Sequence, residues 1–284
     1  MADFISSLIL LCFILMCFSE ATSPPDNIFI LGGQSNMAGR GGVTCDNTTM
    51  HYCKWDGYIP VESQSETSII RFTAGRQWEL AHEPLHWDID RKKTNGVGPG
   101  MAFANELLAK ANKSIGVIGL VPCAIGGTYL REWVKGTINY TKLVDRINAS
   151  EIYGGKVQAF FWFQGESDAS VRVDAEFYKQ NLAKFLTDLR KDLNRPKLPI
   201  ILVKITTYDT LISPIMNYTQ VIRRADEAVK HKLPKISTVD AKKAIQRVVS
   251  HQKPGLNEDK GHLSVYSEVE VGKMLAHAYL QKFA

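Results

Sequence analysis

Ser35 closes the run Ile28-Phe29-Ile30-Leu31-Gly32-Gly33-Gln34-Ser35 and is followed by Asn36-Met37-Ala38. Four apolar residues predict a short buried strand, two glycines allow a sharp turn, and Asn36-Met37-Ala38 can open a helix. A serine at such a corner carries an exposed hydroxyl beside helix-start amides, so it reads either as a nucleophile or as a helix cap. It becomes a nucleophile only where a general base can take its proton. Of the seven histidines, His262 alone has a carboxylate at suggestive spacing in a loop, in Asp259-Lys260-Gly261-His262. In a tight turn Asp259 can hydrogen-bond the ring and hold its tautomer, which turns the other nitrogen toward the serine. The alternative is a surface turn in which the two residues merely coincide.

Other constellations are weaker. His82-Glu83-Pro84-Leu85-His86 matches the zinc-protease pattern, but that chemistry needs both histidines on one helical face and Pro84 breaks the helix. We therefore assign no metal there, and His86 with Trp87 is expected to line a cleft. Glu166 with Asp168, or Asp88 with Asp90, could form a glycosidase pair, although neighbouring acids are common on solvated loops. Glu166 is expected instead to brace its loop by accepting backbone hydrogens. Gly33-Gln34-Ser35-Asn36-Met37 lacks the second glycine of G-x-S-x-G, which disfavours the ordinary nucleophile elbow.

The elements that must position these residues alternate. A helix is predicted over 101–111 and a strand over 115–121, which runs into Pro122-Cys123-Ala124-Ile125-Gly126-Gly127-Thr128. A helix over 140–152 precedes a strand over 157–163, which ends in Gln164-Gly165-Glu166-Ser167-Asp168. Helices over 174–193, 216–230 and 265–283 and strands over 200–205 and 236–239 complete the series, while 41–67 and 78–100 read as irregular. Such alternation predicts a doubly wound, mostly parallel sheet with helices on both faces. Ligands bind beyond the carboxyl ends of such strands, so Ser35, Gly126-Gly127 and Gln164 should share one rim.

The chain has 284 residues, 45% of them hydrophobic, and a formal net charge of +5. No basic block interleaves with aromatics, which argues against a nucleic-acid partner. Residues 1–21 read as a secretory signal peptide, because the apolar run from Ile5 to Phe18 is too short to span a bilayer comfortably, and 22–284 as one domain without stable membrane association. Sequons at Asn47, Asn112, Asn139, Asn148 and Asn217 favour the secretory pathway, hence an extracellular, cell-wall or vacuolar location. Cys45 and Cys53 share a turn-rich loop and are expected to pair, leaving Cys123 as buried filler. Oligomeric state is not legible.

The Gly-Gln-Ser-Asn-Met block at Ser35, the turn Gly126-Gly127-Thr128, the block Gln164-Gly165-Glu166-Ser167-Asp168 and the closing Asp259-x-x-His262 together resemble the SGNH hydrolases. More narrowly, they resemble the sialate O-acetylesterase-like plant carbohydrate esterases related to acetylxylan esterases. The resemblance runs from about Asn27 to the C-terminus. It implies a flavodoxin-like three-layer α/β/α sandwich and a serine esterase, working without a cofactor, that removes O-acetyl groups from carbohydrates. Ser35 would be the nucleophile, His262 the base and Asp259 its orienting acid. The Ser35 amide, an amide of Gly126 or Gly127 and the Gln164 side chain would form the oxyanion hole. His86, Trp87, Thr128 and Glu166 would contact substrate. The alternatives are a lipid esterase of the GDSL type and a sugar-binding protein that stacks ligands on Trp78, Trp87, Tyr129 and Trp133.

Overall fold

A computed structural model describes residues 23–45, 53–111, 115–206, 218–257 and 261–284. The signal-like segment, Asp259 and the sequon residues Asn47, Asn112 and Asn217 lie outside the described residues. In chain order the strands are β1 (Asn27–Gly33), β2 (Val43–Cys45), β3 (Cys53–Trp55), β4 (Ile69–Phe72), β5 (Trp78–Leu80), β6 (Ile118–Pro122), β7 (Lys156–Phe163), β8 (Ile200–Lys204) and β9 (Ile236–Asp240). The helices are α1 (Ser35–Ala38), α2 (Pro99–Lys110), α3 (Ile138–Ser150), α4 (Glu166–Ala169), α5 (Arg172–Asp192), α6 (Thr219–Lys232), α7 (Ala241–Ser250) and α8 (Val265–Lys282).

Seven strands form one sheet in the order β5-β4-β6-β1-β7-β8-β9, parallel throughout except where β5 pairs antiparallel with β4. The run β6-β1-β7-β8-β9 follows the flavodoxin-like order, and the β4–β5 pair extends its edge. The sequence reading does not mark β4, and the reason is Arg71. Its guanidinium is fully buried within Ile-Ile-Arg-Phe, where Glu79, Asp88 and the Leu85 carbonyl hold it. Buried between two strands, β1 is apolar along its middle, as a central parallel strand must be.

The pleat sends alternate residues of β7 into opposite helical layers. Phe161 points to the side where Phe29 meets Phe103 of α2 at 4.8 Å and Tyr279 of α8 at 5.0 Å. Phe160 and Trp162 point to the other side, against Phe185 of α5, which also meets Tyr140 of α3. Each such fully buried aromatic stabilises the fold by roughly 1.5–3 kcal/mol. A small hairpin, β2–β3, stands apart from the sheet and carries the disulfide Cys45–Cys53. Asn139 and Asn148 both lie on α3, with Asn148 exposed.

Register aligns the carboxyl ends that matter. Leu31 lies opposite Pro122 of β6, and Gly33 lies opposite Phe163 of β7. The three loops that follow β1, β6 and β7 therefore leave the sheet at one edge, beside the point where the strand order reverses.

Candidate active site

Gly33 determines how the chain leaves β1. Its φ is +135°, and a Cβ there would lie 2.1 Å from the Phe163 carbonyl oxygen, so only glycine fits. Gln34 then donates its amide to the Phe163 carbonyl at 2.9 Å, and the single turn α1 begins at Ser35. No side chain caps that turn. The Ser35 hydroxyl meets instead the Nε2 of His262 at 3.1 Å, across 227 residues of sequence. This is hydrogen-bond reach for a nucleophile and its base.

His262 is held from both sides of its loop. Its carbonyl accepts the Asn257 amide at 3.0 Å, and the next residue, Leu263, donates its amide to Asn36 Oδ1 at 3.1 Å. Asn257 Nδ2 in turn donates to the Arg40 carbonyl at 2.5 Å, and Ser264 caps α8 through the Ser267 amide. Asn36 is the hinge pin of this arrangement, because its Nδ2 also donates to Glu166 Oε1 at 2.7 Å. One amide thus ties the serine turn, the histidine loop and the loop after β7 together. The sequence reading assigned it no role, although its place beside Ser35 was the available signal.

Several expected site residues are placed differently. Gln164 does not present a free donor. Its Nε2, with two hydrogens, faces Asp168 Oδ2 at 2.5 Å, the Thr128 carbonyl at 2.9 Å and Gln34 Oε1 at 3.1 Å, while the Tyr178 hydroxyl donates to its Oε1 at 3.0 Å. The Gly126 amide is likewise committed, donating to Asp90 Oδ2 at 3.1 Å. Asp90 is itself locked by a buried ion pair with Arg40 at 2.5 Å. Among the described residues the Ser35 and Gly127 amides, like that of Thr128, have no recorded acceptor. Gly127 has φ +76° and open space around its Cβ position.

His86 is 1% exposed and does not line a cleft. Burial, together with the Arg40, Arg71 and Arg146 guanidinium groups, pushes it down to about 3, so its imidazole is neutral. Thr128 turns its hydroxyl inward, donating to the Ile125 carbonyl and accepting from Trp133 Nε1. Glu166 is buried and accepts from the Asn36 side chain as well as from backbone, and burial raises its carboxyl above the usual range. Of the expected contact residues, Trp87 stays half-exposed, with the Arg71 guanidinium 5.4 Å from its ring. Trp133 is 1% exposed and offers no stacking face.

The carboxylates posed as glycosidase pairs are all engaged within the protein. Asp88 pairs with Arg71 and Asp90 with Arg40, while Asp168 accepts from Gln164 and the Leu130 amide. Burial lifts Asp168 to about 6 against those hydrogen bonds. Residues 82–86 form no helix; Glu83 points inward and accepts the Leu85 and Gly98 amides, and burial raises it to about 8.

The family described as carbohydrate esterase, sialic acid-specific acetylesterase, matches residues 25–281. A probable carbohydrate esterase of Arabidopsis thaliana is 44% identical over 264 residues, covering 93% of this chain and 94% of that protein. An Arabidopsis thaliana protein solved by X-ray at 1.6 Å superposes with a TM-score of 0.80 at 42% identity, over 92% of this chain and all of that one. The crystal structure of NanS gives a TM-score of 0.65 at 17% identity, covering 91% of this chain and 98% of that one, a likeness of fold.

Proposed function

Because the chain belongs to the carbohydrate esterase family of the sialic acid-specific acetylesterases, and so to the carboxylic ester hydrolases, we propose that it removes O-acetyl groups from cell-wall polysaccharide or acetyl sugars. Ser35 is the nucleophile and His262 its base. The observation that carries this reading is the 3.1 Å contact between the Ser35 hydroxyl and His262 Nε2.

Ser35 Oγ attacks the acetyl carbonyl carbon while Nε2 of His262 accepts the hydroxyl proton. The carbonyl electron pair moves to oxygen, and the amides of Ser35 and Gly127 receive it. Collapse of the tetrahedral intermediate expels the sugar oxygen, which takes the proton from His262 and leaves an acetyl-enzyme. Water enters, gives a proton to His262 and attacks the same carbonyl carbon. Acetic acid departs as the proton returns to Ser35, and it ionises to acetate in water. Asp259, three residues before the base, orients the imidazole and stabilises its charged form. Gln164 holds Gln34 and Asp168 so that the rim keeps its shape. The same reading takes the chain through the secretory pathway with residues 1–21 removed and the sequons available to glycan.

Ser35→Ala tests it. Acetate release from acetylated xylan oligomers and from 4-nitrophenyl acetate should fall at least ~10³-fold, with thermal unfolding unchanged. Full activity in that variant overturns the assignment.

A further inference from the structure

The Gly126–Thr128 turn faces the rim on one side and forms a wall of a cavity of about 690 Å³ on the other. The segment 88–93 and helix α3 close it. That volume lies in the range of small-ligand sites. Arg76, Arg91, Lys92, Lys93 and Lys142 line the cavity, all of them exposed residues, and none has an ion-pair partner among the described residues.

The acids in the same lining do not cancel them. Asp90 is paired with Arg40, and Asp88 shares Arg71 with Glu79, which leaves Glu132, Asp145 and part of the Asp88 charge against the cationic set. Arg146 adds a fixed charge to the lining. Its guanidinium is pinned by the carbonyls of Pro122, Thr73 and Phe72 at 3.2, 3.0 and 2.8 Å, dipoles that position it without neutralising it. The lining therefore carries a net positive charge.

We infer that this cavity is a subsite for carboxylate-bearing sugar units, so that the chain prefers acetylated saccharides containing uronate residues. The inference rests on the esterase reading, since the cavity shares the turn carrying the Gly127 amide, and a chain bound at the rim would extend into it. Sugar carboxylates meeting several unpaired cations at a water-accessible surface gain modestly from each pair, and salt screens the gain.

The test uses the full protein and two deacetylated probes of equal length, an oligogalacturonate and a neutral xylo-oligosaccharide, measured by titration calorimetry. The oligogalacturonate should bind at least about tenfold tighter at about 0.05 M salt and lose most of that advantage at about 0.5 M. The triple variant Lys92→Gln/Lys93→Gln/Lys142→Gln should weaken it by about tenfold, since each exposed pair contributes a factor of about 1.5 to 5. The ratio of kcat/KM on acetylated galacturonan over acetylated xylan oligomers should fall in the same proportion. Equal affinity for the two probes, indifference to salt, or wild-type binding by the triple variant overturns the subsite. Binding of oligogalacturonate by a protein that turns over neither acetylated oligomer would overturn the esterase reading and leave the subsite standing. Turnover of both oligomers without preference would do the reverse.

Discussion

Asn36→Ala removes two hydrogen bonds at once and separates structural from catalytic consequences. The Nδ2 bond to Glu166 at 2.7 Å reaches a buried carboxyl whose Oε2 already has no partner. A hydrogen bond to such a group contributes about 1.5–3 kcal/mol, and an orphaned buried amide, here that of Leu263, costs about 1–3 kcal/mol. The two losses share one side chain and are not additive, so we expect a net loss of about 3–4 kcal/mol. For a domain of this size each kcal/mol moves the midpoint by about 2–4 °C, which puts the expected drop near 10 °C by calorimetry. The catalytic effect should be distinct. Loosening Leu263 lets the His262 ring drift from Ser35, and a displacement of about 1 Å can lower turnover about 100-fold. Steady-state assays on an acetyl ester should therefore show kcat falling far more than KM changes. Glu166→Gln is the control: its carbonyl oxygen still accepts from Asn36, and stability should stay within about 1 kcal/mol. A midpoint drop below about 2 °C in Asn36→Ala, or wild-type kcat, refutes the claim that this amide couples the two loops.

Glu268 gives a pH-dependent prediction. It is fully buried on α8 with neither carboxyl oxygen partnered, and burial, with Glu83 and Glu166 nearby, holds its pKa well above the carboxylate range. A carboxyl whose folded pKa is raised binds its proton more tightly in the native state. Its stabilising share is fully present below the unfolded pKa and is lost as pH rises, by up to about 1.4 kcal/mol per pH unit. Glu268→Gln abolishes that loss, so its advantage in unfolding midpoint should grow steadily from pH 5 to pH 8; a constant or shrinking difference refutes it. The Cys45–Cys53 bond closes a loop of sequence separation 8, for which chain entropy gives about 2.5 kcal/mol. Cys45→Ala/Cys53→Ala should lower the midpoint by about 5–10 °C, and a reductant should lower wild type but not the variant.

The alternation of apolar runs with amphipathic stretches sufficed for the doubly wound sheet, because strand and helix periods are local properties. The glycine turns after β1 and β6 and the block after β7 were legible for the same reason: each follows its strand directly. Boundaries moved by a few residues, as at α2, which begins at Pro99 rather than at 101. β4 and α7 escaped the reading, as did the three-residue strands β2, β3 and β5 inside the stretches read as irregular; β4 was missed because a buried arginine breaks its apolar pattern.

By itself the sequence determined the parallel scaffold, the corner carrying Ser35 and the candidacy of His262, since these follow from residue type and spacing within a few positions. Only the tertiary structure decided what those residues touch. Gln164, Gly126 and His86 are chemically able to do what was expected of them, but Thr128, Asp168, Asp90 and solid burial reach them from distant parts of the chain. A donor's availability depends on which acceptors the fold has already brought to it. That is a property of long-range packing and leaves no mark on neighbouring letters.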